Sequence, residues 1–291
     1  MSQLYLAGCG TALVTPFDGE NVDYDAYVAT VKRQVNAGID FLVPLGTTAE
    51  TPCLSNEEKV KLLTLTVQNA GGRPILAGAG TNSLSGTLAN IKLLSPYGAD
   101  AFLIVTPYYN KPTQTGLLEY FTAVADASDK PIVIYNVPGR TGVNITSETT
   151  LKLAQHPNII AIKEASSNYK QISEIIKGKP EGFSVLSGND DETLSLMSTG
   201  AQGVISVASN VAPDLMEDLV RALKNDDMKA ARNLHYKLMD LFKNCFIESN
   251  PIPVKAAMAQ LGLMRNALRL PLTKASAKTE EIISQTLKDL L

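Results

Sequence analysis

Apolar and polar positions in this chain are arranged in blocks. Short runs rich in Val, Ile, Leu and Ala, most of them ending in Gly, Asn or Pro, alternate with longer amphipathic segments. The runs fall at residues 10–16, 41–46, 74–78, 101–107, 131–136, 159–163, 183–188 and 203–208. They are apolar on both faces, as strands of a parallel sheet covered by helices are. The segments between them repeat apolar residues at helical spacing: Tyr27, Val28, Val31 and Val35, then Val60, Leu62, Leu63, Leu65 and Val67. Start and stop signals agree with this. Ser55-Asn56-Glu57-Glu58 reads as a capping box, and Gly38, Gly98 and Gly200 stand where helices should end. Eight strands alternating with helices predict an α/β fold, a closed (β/α)8 TIM barrel. An open doubly wound sheet would alternate in the same way, but no Gly-rich dinucleotide fingerprint follows any run, and regular repetition fits closure better. After Pro213 only helical patterns continue, at 215–223, 228–246, 254–261 and 279–291. The first completes the barrel. This gives a catalytic barrel domain over 1–225 and a C-terminal helical region over 226–291, whose faces would serve packing or an oligomer contact.

Composition narrows the function class. With 45% apolar and 19% charged residues in 291, the chain is expected to be soluble and globular. The net charge of −3, with both signs interspersed, offers no nucleic-acid-binding surface. No apolar run approaches the roughly 20 residues that span a bilayer, and the opening residues lack a signal peptide's basic start and apolar core. No membrane partner and a cytoplasmic location are expected. Cys9, Cys53 and Cys245 are widely spaced, and His156 and His235 have no partner at metal-ligand spacing. No disulfide framework, metal or cofactor is predicted.

One residue interrupts the apolar run Ile159-Ile160-Ala161-Ile162-Lys163. A lysine there either snorkels out or pairs with Glu164, or it is desolvated toward a nucleophilic amine. Barrel geometry separates these readings, because catalytic groups gather at the C-terminal ends of the strands. Those ends carry Gly46-Thr47-Thr48-Ala49-Glu50, Tyr108-Tyr109-Asn110-Lys111-Pro112, Tyr135 to Thr141 with Arg140, Lys163-Glu164, and Ser187-Gly188-Asn189-Asp190, while the last strand brings Ile205 and Ser206. Taken singly, each has a bland account: a capped turn for Thr47 and Thr48, a core phenol for Tyr135, a solvated loop cation for Arg140. Together they make an amine, a proton-shuttling phenol and carboxylate donors on one rim. That set suits Schiff-base chemistry on a 2-oxo acid, in which the protonated imine acts as electron sink.

At these residues the chain resembles the dihydrodipicolinate synthase family, within the pyruvate-dependent class I aldolases that include N-acetylneuraminate lyase. The motifs GTT-x-E at Gly46, YYNKP at Tyr108, YNVPGRTG at Tyr135, IKEAS at Ile162 and SGND at Ser187 occur in the family order across the whole chain. The resemblance implies a lyase that condenses pyruvate with L-aspartate 4-semialdehyde on the diaminopimelate route to lysine. It implies Lys163 as the Schiff-base lysine, Tyr135 as the acid-base tyrosine, and Thr47 and Tyr109 as the other members of a hydroxyl relay. The equivalent of Tyr109 reaches in from a neighbouring subunit of a homotetramer, a dimer of dimers. Thr48 would hold the pyruvate carboxylate, Gly188 and Ile205 would line the pyruvate site, and Arg140 would receive the semialdehyde carboxylate. Arg140 also separates this reading from a sugar-acid lyase, since such lyases generally lack PGRT. The family usually has glycine where Ala49 stands, so a positive φ there would cost about 1 kcal/mol. In lysine-sensitive members a histidine and a glutamate bind the inhibitor. Asn56, Lys59 and Gly86 stand in that neighbourhood here, although Asn82 and Tyr108 remain, and weak or absent lysine inhibition is expected.

Overall fold

The computed structural model describes residues 4–290. The apolar runs form eight parallel strands: β1 Gly8–Ala12, β2 Phe41–Val43, β3 Leu76–Gly78, β4 Ala101–Val105, β5 Ile132–Asn136, β6 Ile159–Glu164, β7 Ser184–Ser187 and β8 Gly203–Ser206. Their order is β2-β1-β8-β7-β6-β5-β4-β3. The two ends of this order meet. Leu42 bridges Ile75 in parallel, the Leu42 amide donates to Pro74 O at 3.0 Å, and the Gly78 amide donates to Pro44 O at 2.9 Å. The sheet therefore closes into the (β/α)8 barrel that the alternation predicts. The first strand lies earlier than its apolar run: it ends at Ala12, and the chain then leads into the hairpin of Phe17–Asp18 with Asn21–Val22.

Helices α1 Tyr24–Asn36, α2 Asn56–Asn69, α3 Leu84–Leu94, α4 Gln114–Ala127, α5 Ser147–Leu153, α6 Tyr169–Gly178, α7 Thr193–Ser198 and α8 Pro213–Lys224 surround the strands. The capping box is formed: the Glu58 amide donates to Ser55 Oγ at 3.2 Å, and the Ser55 amide donates to Glu58 Oε2 at 2.9 Å. Gly38, Gly98 and Gly200 take φ of 89°, 88° and 106°, a left-handed conformation that ends a helix without a Cβ clash.

The core has two layers. Side chains such as Phe41, Leu76, Leu103, Val133, Ile160, Leu186 and Ile205 fill the barrel interior, and a larger cluster lies between the strands and the helices. Burial on both faces is why the strands read as continuous apolar runs.

Three further helices follow: α9 Met228–Asn244, α10 Ile252–Gln260 and α11 Ala277–Leu290. The final predicted residue, Leu291, lies outside the described residues. Helix α10 is buried from Ile252 through Met258, packed on α11 and on the Ala208–Asn210 turn after β8. It therefore lies against the C-terminal face of the barrel, where the polar strand ends gather. No described helix is long and apolar enough to cross a membrane.

Candidate active site

Strand alternation decides which side chains enter the barrel. On β6, Ile162 joins the outer core and Glu164 meets α6, so Lys163 between them points inward. This disposes of the pairing of Lys163 with Glu164. The Glu164 carboxylate is buried on the other side of the strand, where it accepts from Asn136 Nδ2 at 3.0 Å, the Ser166 amide at 2.9 Å and Gln171 Nε2 at 3.2 Å. On β5 the residue in register with Lys163 is Tyr135. The Lys163 Nζ lies 4.3 Å from the centre of the Tyr135 ring.

Both face a cavity of about 450 Å³ at the C-terminal end of the barrel. Thr47, Thr48, Arg140 and Gly188 line the same cavity, together with Tyr108, Val207 and Asn250. A Cβ on Gly188 would sit 3.2 Å from Lys163 Cε and 2.7 Å from Ala165 Cβ, so glycine is what leaves the amine room there. Ile205 is fully buried in the interior core and does not line the cavity. Tyr109 is also apart from it: the side chain is 90% exposed on a backbone of φ 70° and projects outward beside Tyr108.

The amine is set for nucleophilic chemistry. Burial is the main cause that lowers its pKa, to about 8, helped by the Arg140 charge and opposed by the Asp190 carboxylate. Tyr135 is pushed up by burial, against the Arg140 charge and a hydrogen bond with Thr47, so it enters the site as a protonated phenol. Asp190 is itself buried. Its Oδ2 accepts from the Val207 and Ala208 amides at 3.0 and 2.9 Å, and its Oδ1 has no hydrogen-bond partner among the described residues. Burial raises its pKa, while Ser206, those two amides and the charge of Lys163 lower it.

The Gly46–Ala49 turn after β2 is built to present hydroxyls. Thr47–Ala49 form a single 3-10 turn, whose bonds use the Ala49 and Glu50 amides and so leave the Thr47 and Thr48 amides outside them. Leu45 and Glu50, on either side, both take left-handed backbones, at φ 60° and 54°. The conditional cost at Ala49 does not arise, because Ala49 is not at positive φ and the left-handed residue is Glu50. Thr48 is buried, and its Oγ1 accepts from Asn250 Nδ2 at 3.0 Å. A hydroxyl that accepts there keeps its own proton for another acceptor. Arg140 Nη2 donates to Asn250 O at 3.4 Å, which holds the guanidinium at the rim.

Asn250, Asp190 and the buried Lys255 behind the turn received no role from the sequence. Lys255 carries the signal that picked out Lys163, a lone cation inside an apolar segment, here Ile252 to Met258. Asn250 and Asp190 carry no comparable local mark.

The Dihydrodipicolinate synthetase family model matches residues 5–290. The chain belongs to that family. It is 44% identical to the 4-hydroxy-tetrahydrodipicolinate synthase of Kosmotoga olearia, with 97% of each chain covered. It is 48% identical to that of Koribacter versatilis, with 96% of each covered. Its fold superimposes on the crystal structure of dihydrodipicolinate synthase from Thermotoga maritima with a TM-score of 0.97 at 43% identity, over 99% of this chain and 100% of the other. Dihydrodipicolinate synthetases are lyases of the aldolase type, and as a member of the family this chain is such an enzyme. Among the described residues no three His, Cys, Asp or Glu side chains group to hold a metal ion.

Proposed function

We propose that this chain condenses pyruvate with L-aspartate 4-semialdehyde to 4-hydroxy-tetrahydrodipicolinate through an imine on Lys163. The observation that carries the reading is a buried lysine with its pKa lowered to about 8, lying 4.3 Å from the Tyr135 ring in an open cavity. Neutral Nζ attacks the C2 carbonyl of pyruvate, and Tyr135 hands a proton to the carbonyl oxygen, which leaves as water. The iminium then loses a methyl proton to give an enamine. Its carbon attacks the aldehyde carbon of the second substrate, and the aldehyde oxygen becomes the 4-hydroxyl. The amino group of the semialdehyde then attacks the iminium carbon, closing a six-membered ring and releasing Lys163. One water is lost overall and no electrons are exchanged with another molecule.

The carboxylates define the rest of the site. Thr48, with its proton directed by Asn250, and the amides of the Thr47–Thr48 turn suit the pyruvate carboxylate. Arg140 at the rim suits the carboxylate of the semialdehyde, which a fork of donors grips better than a point charge. Thr47, hydrogen-bonded with Tyr135, passes protons outward. Gly188 leaves space at the amine, and Ile205 packs in the interior core below the site without lining it. The relay is completed by Tyr109 of a neighbouring copy in a homotetramer, a role that its exposure in the single chain supports. The product feeds the diaminopimelate route to lysine in the cytoplasm.

Incubation with pyruvate and either L-aspartate 4-semialdehyde or a sugar aldehyde tests the reading. Turnover with the semialdehyde, lost in Arg140→Ala chiefly through a raised KM for that substrate, is the expected result. Preference for the sugar aldehyde contradicts it.

A further inference from the structure

Glu50 and Lys255 form an ion pair that none of these steps uses. Both side chains are fully buried, with Lys255 Nζ at 2.5 Å from Glu50 Oε1. The ammonium also donates to Thr15 O at 2.8 Å and stands 4.3 Å from the centre of the Phe17 ring. The second oxygen of Glu50 accepts from the Arg269 amide at 3.1 Å. Desolvating two ions offsets most of their attraction, so such a pair adds little stability that apolar packing would not provide. What it adds is direction.

Both partners grip one turn. Glu50 ends the Thr47–Ala49 turn in a left-handed backbone, which is strained for a side chain with a Cβ and persists only if held. Thr15, whose carbonyl binds the same ammonium, donates its hydroxyl to Ala49 O at 2.8 Å. Asn250, just ahead of α10, holds Thr48, and Lys255 within α10 holds Glu50. One buried segment, Asn250 with the helix that follows it, thus fixes the turn at two points.

We propose that the Glu50–Lys255 pair is a positioning device for the carboxylate of the 2-oxo acid. It sets the place of the Thr47 and Thr48 donors relative to the Lys163 amine without touching substrate. An apolar pair of equal volume would fill the space but leave the turn free to relax, because only the ammonium and carboxylate make bonds of fixed length and direction. The inference rests on the reading of Lys163 as the imine-forming amine.

The test is the pyruvate concentration that half-saturates borohydride inactivation of the full chain, measured on the parent and on two variants. The double variant Glu50→Gln with Lys255→Met leaves no unpaired buried charge. Glu50→Asp keeps both charges and shortens the reach. Near-ultraviolet dichroism and melting report folding. Each variant that folds is expected to need at least about fivefold more pyruvate, with the limiting inactivation rate and its pH midpoint close to the parent's. A folded variant shifted by less than about fivefold, or one whose limiting rate falls as much as its half-saturation rises, overturns the inference. Failure of both variants to fold also overturns it, since the pair then only holds the fold. A parent that pyruvate does not sensitise to borohydride removes the Lys163 reading and this inference with it, whereas a trapped parent with unshifted variants removes this inference alone.

Discussion

Burial holds the Lys163 ammonium at about 8 instead of the ordinary 10.5, and that difference sets both a rate and a stability. Imine formation needs the neutral amine, so its rate with pyruvate should rise with pH up to about 8 and level off above; a midpoint near 10.5 contradicts this. Asp190 opposes the shift, so Asp190→Asn should move the midpoint to lower pH; an upward move contradicts the placement of its charge. For stability the sign follows from proton binding. The unfolded chain holds this proton more tightly between pH 8 and 10.5, so the destabilisation is fully present below 8 and is relieved as pH rises through that window. At neutral pH it amounts to about 3 kcal/mol, so Lys163→Met should melt above the parent, by a margin that shrinks as pH climbs past 8. Tyr135→Phe should keep the fold and lower turnover by roughly 10²–10⁴, and a near-normal rate contradicts its acid-base role. Lys163 was legible because a cation in an apolar strand is conspicuous. The same mark at Lys255 passed unread, because its partner Glu50 is far away in sequence and the pairing exists only once the barrel has closed.

At the scale of elements, strands buried on both faces are the easiest part of the sequence to read, since burial leaves them few polar positions. Their ends are harder. The first run continues past β1 into Leu13 and Val14, which are buried in the outer core and not in the sheet. Local capping chemistry was legible at Ser55 for the reason that both hydrogen bonds lie within four residues. Ser55→Ala should therefore cost about 1 kcal/mol of stability, read as a lower melting midpoint, and leave the half-saturating pyruvate unchanged. The conformation of the Thr47–Ala49 turn was not legible. Whether Ala49 or Glu50 takes the left-handed backbone depends on Thr15, Lys255 and Arg269, which bind that turn from other parts of the chain. The helical region after residue 225, read from sequence as packing or oligomer surface, supplies Asn250 and Lys255 to the catalytic face. A division of the chain at that point therefore separates Asn250 and Lys255 from the turn that they bind.

On the scale of the whole molecule, one chain brings the Lys163 amine, the Tyr135 phenol, the Thr47–Thr48 turn and the Arg140 guanidinium to one cavity, but leaves Tyr109 facing outward. If Tyr109 completes the relay of a neighbouring copy, dilution to monomer should abolish turnover while the barrel's dichroism persists; full activity in a proven monomer contradicts that. Charge at the outer end of the cavity bears on regulation. Lys59 lines it, position 86 is a glycine and the Glu50 carboxylate is taken by Lys255, so the ammonium of a lysine effector would meet a like charge with no free carboxylate to offset it. Submillimolar lysine should leave turnover intact, and half-inhibition in that range contradicts the expectation. Loops and contacts between copies carry no periodic pattern to guide a reading of sequence.

The central claim is one covalent bond, and the chain contains its own control for it. Lys163 and Lys255 are both buried and both have a lowered pKa, but Lys255 is held by Glu50 and Lys163 faces the cavity beside Tyr135. Borohydride reduction in the presence of pyruvate, followed by peptide mass mapping, should place a single adduct on Lys163 and none on Lys255. An adduct at any other lysine, or no adduct at all, contradicts the account.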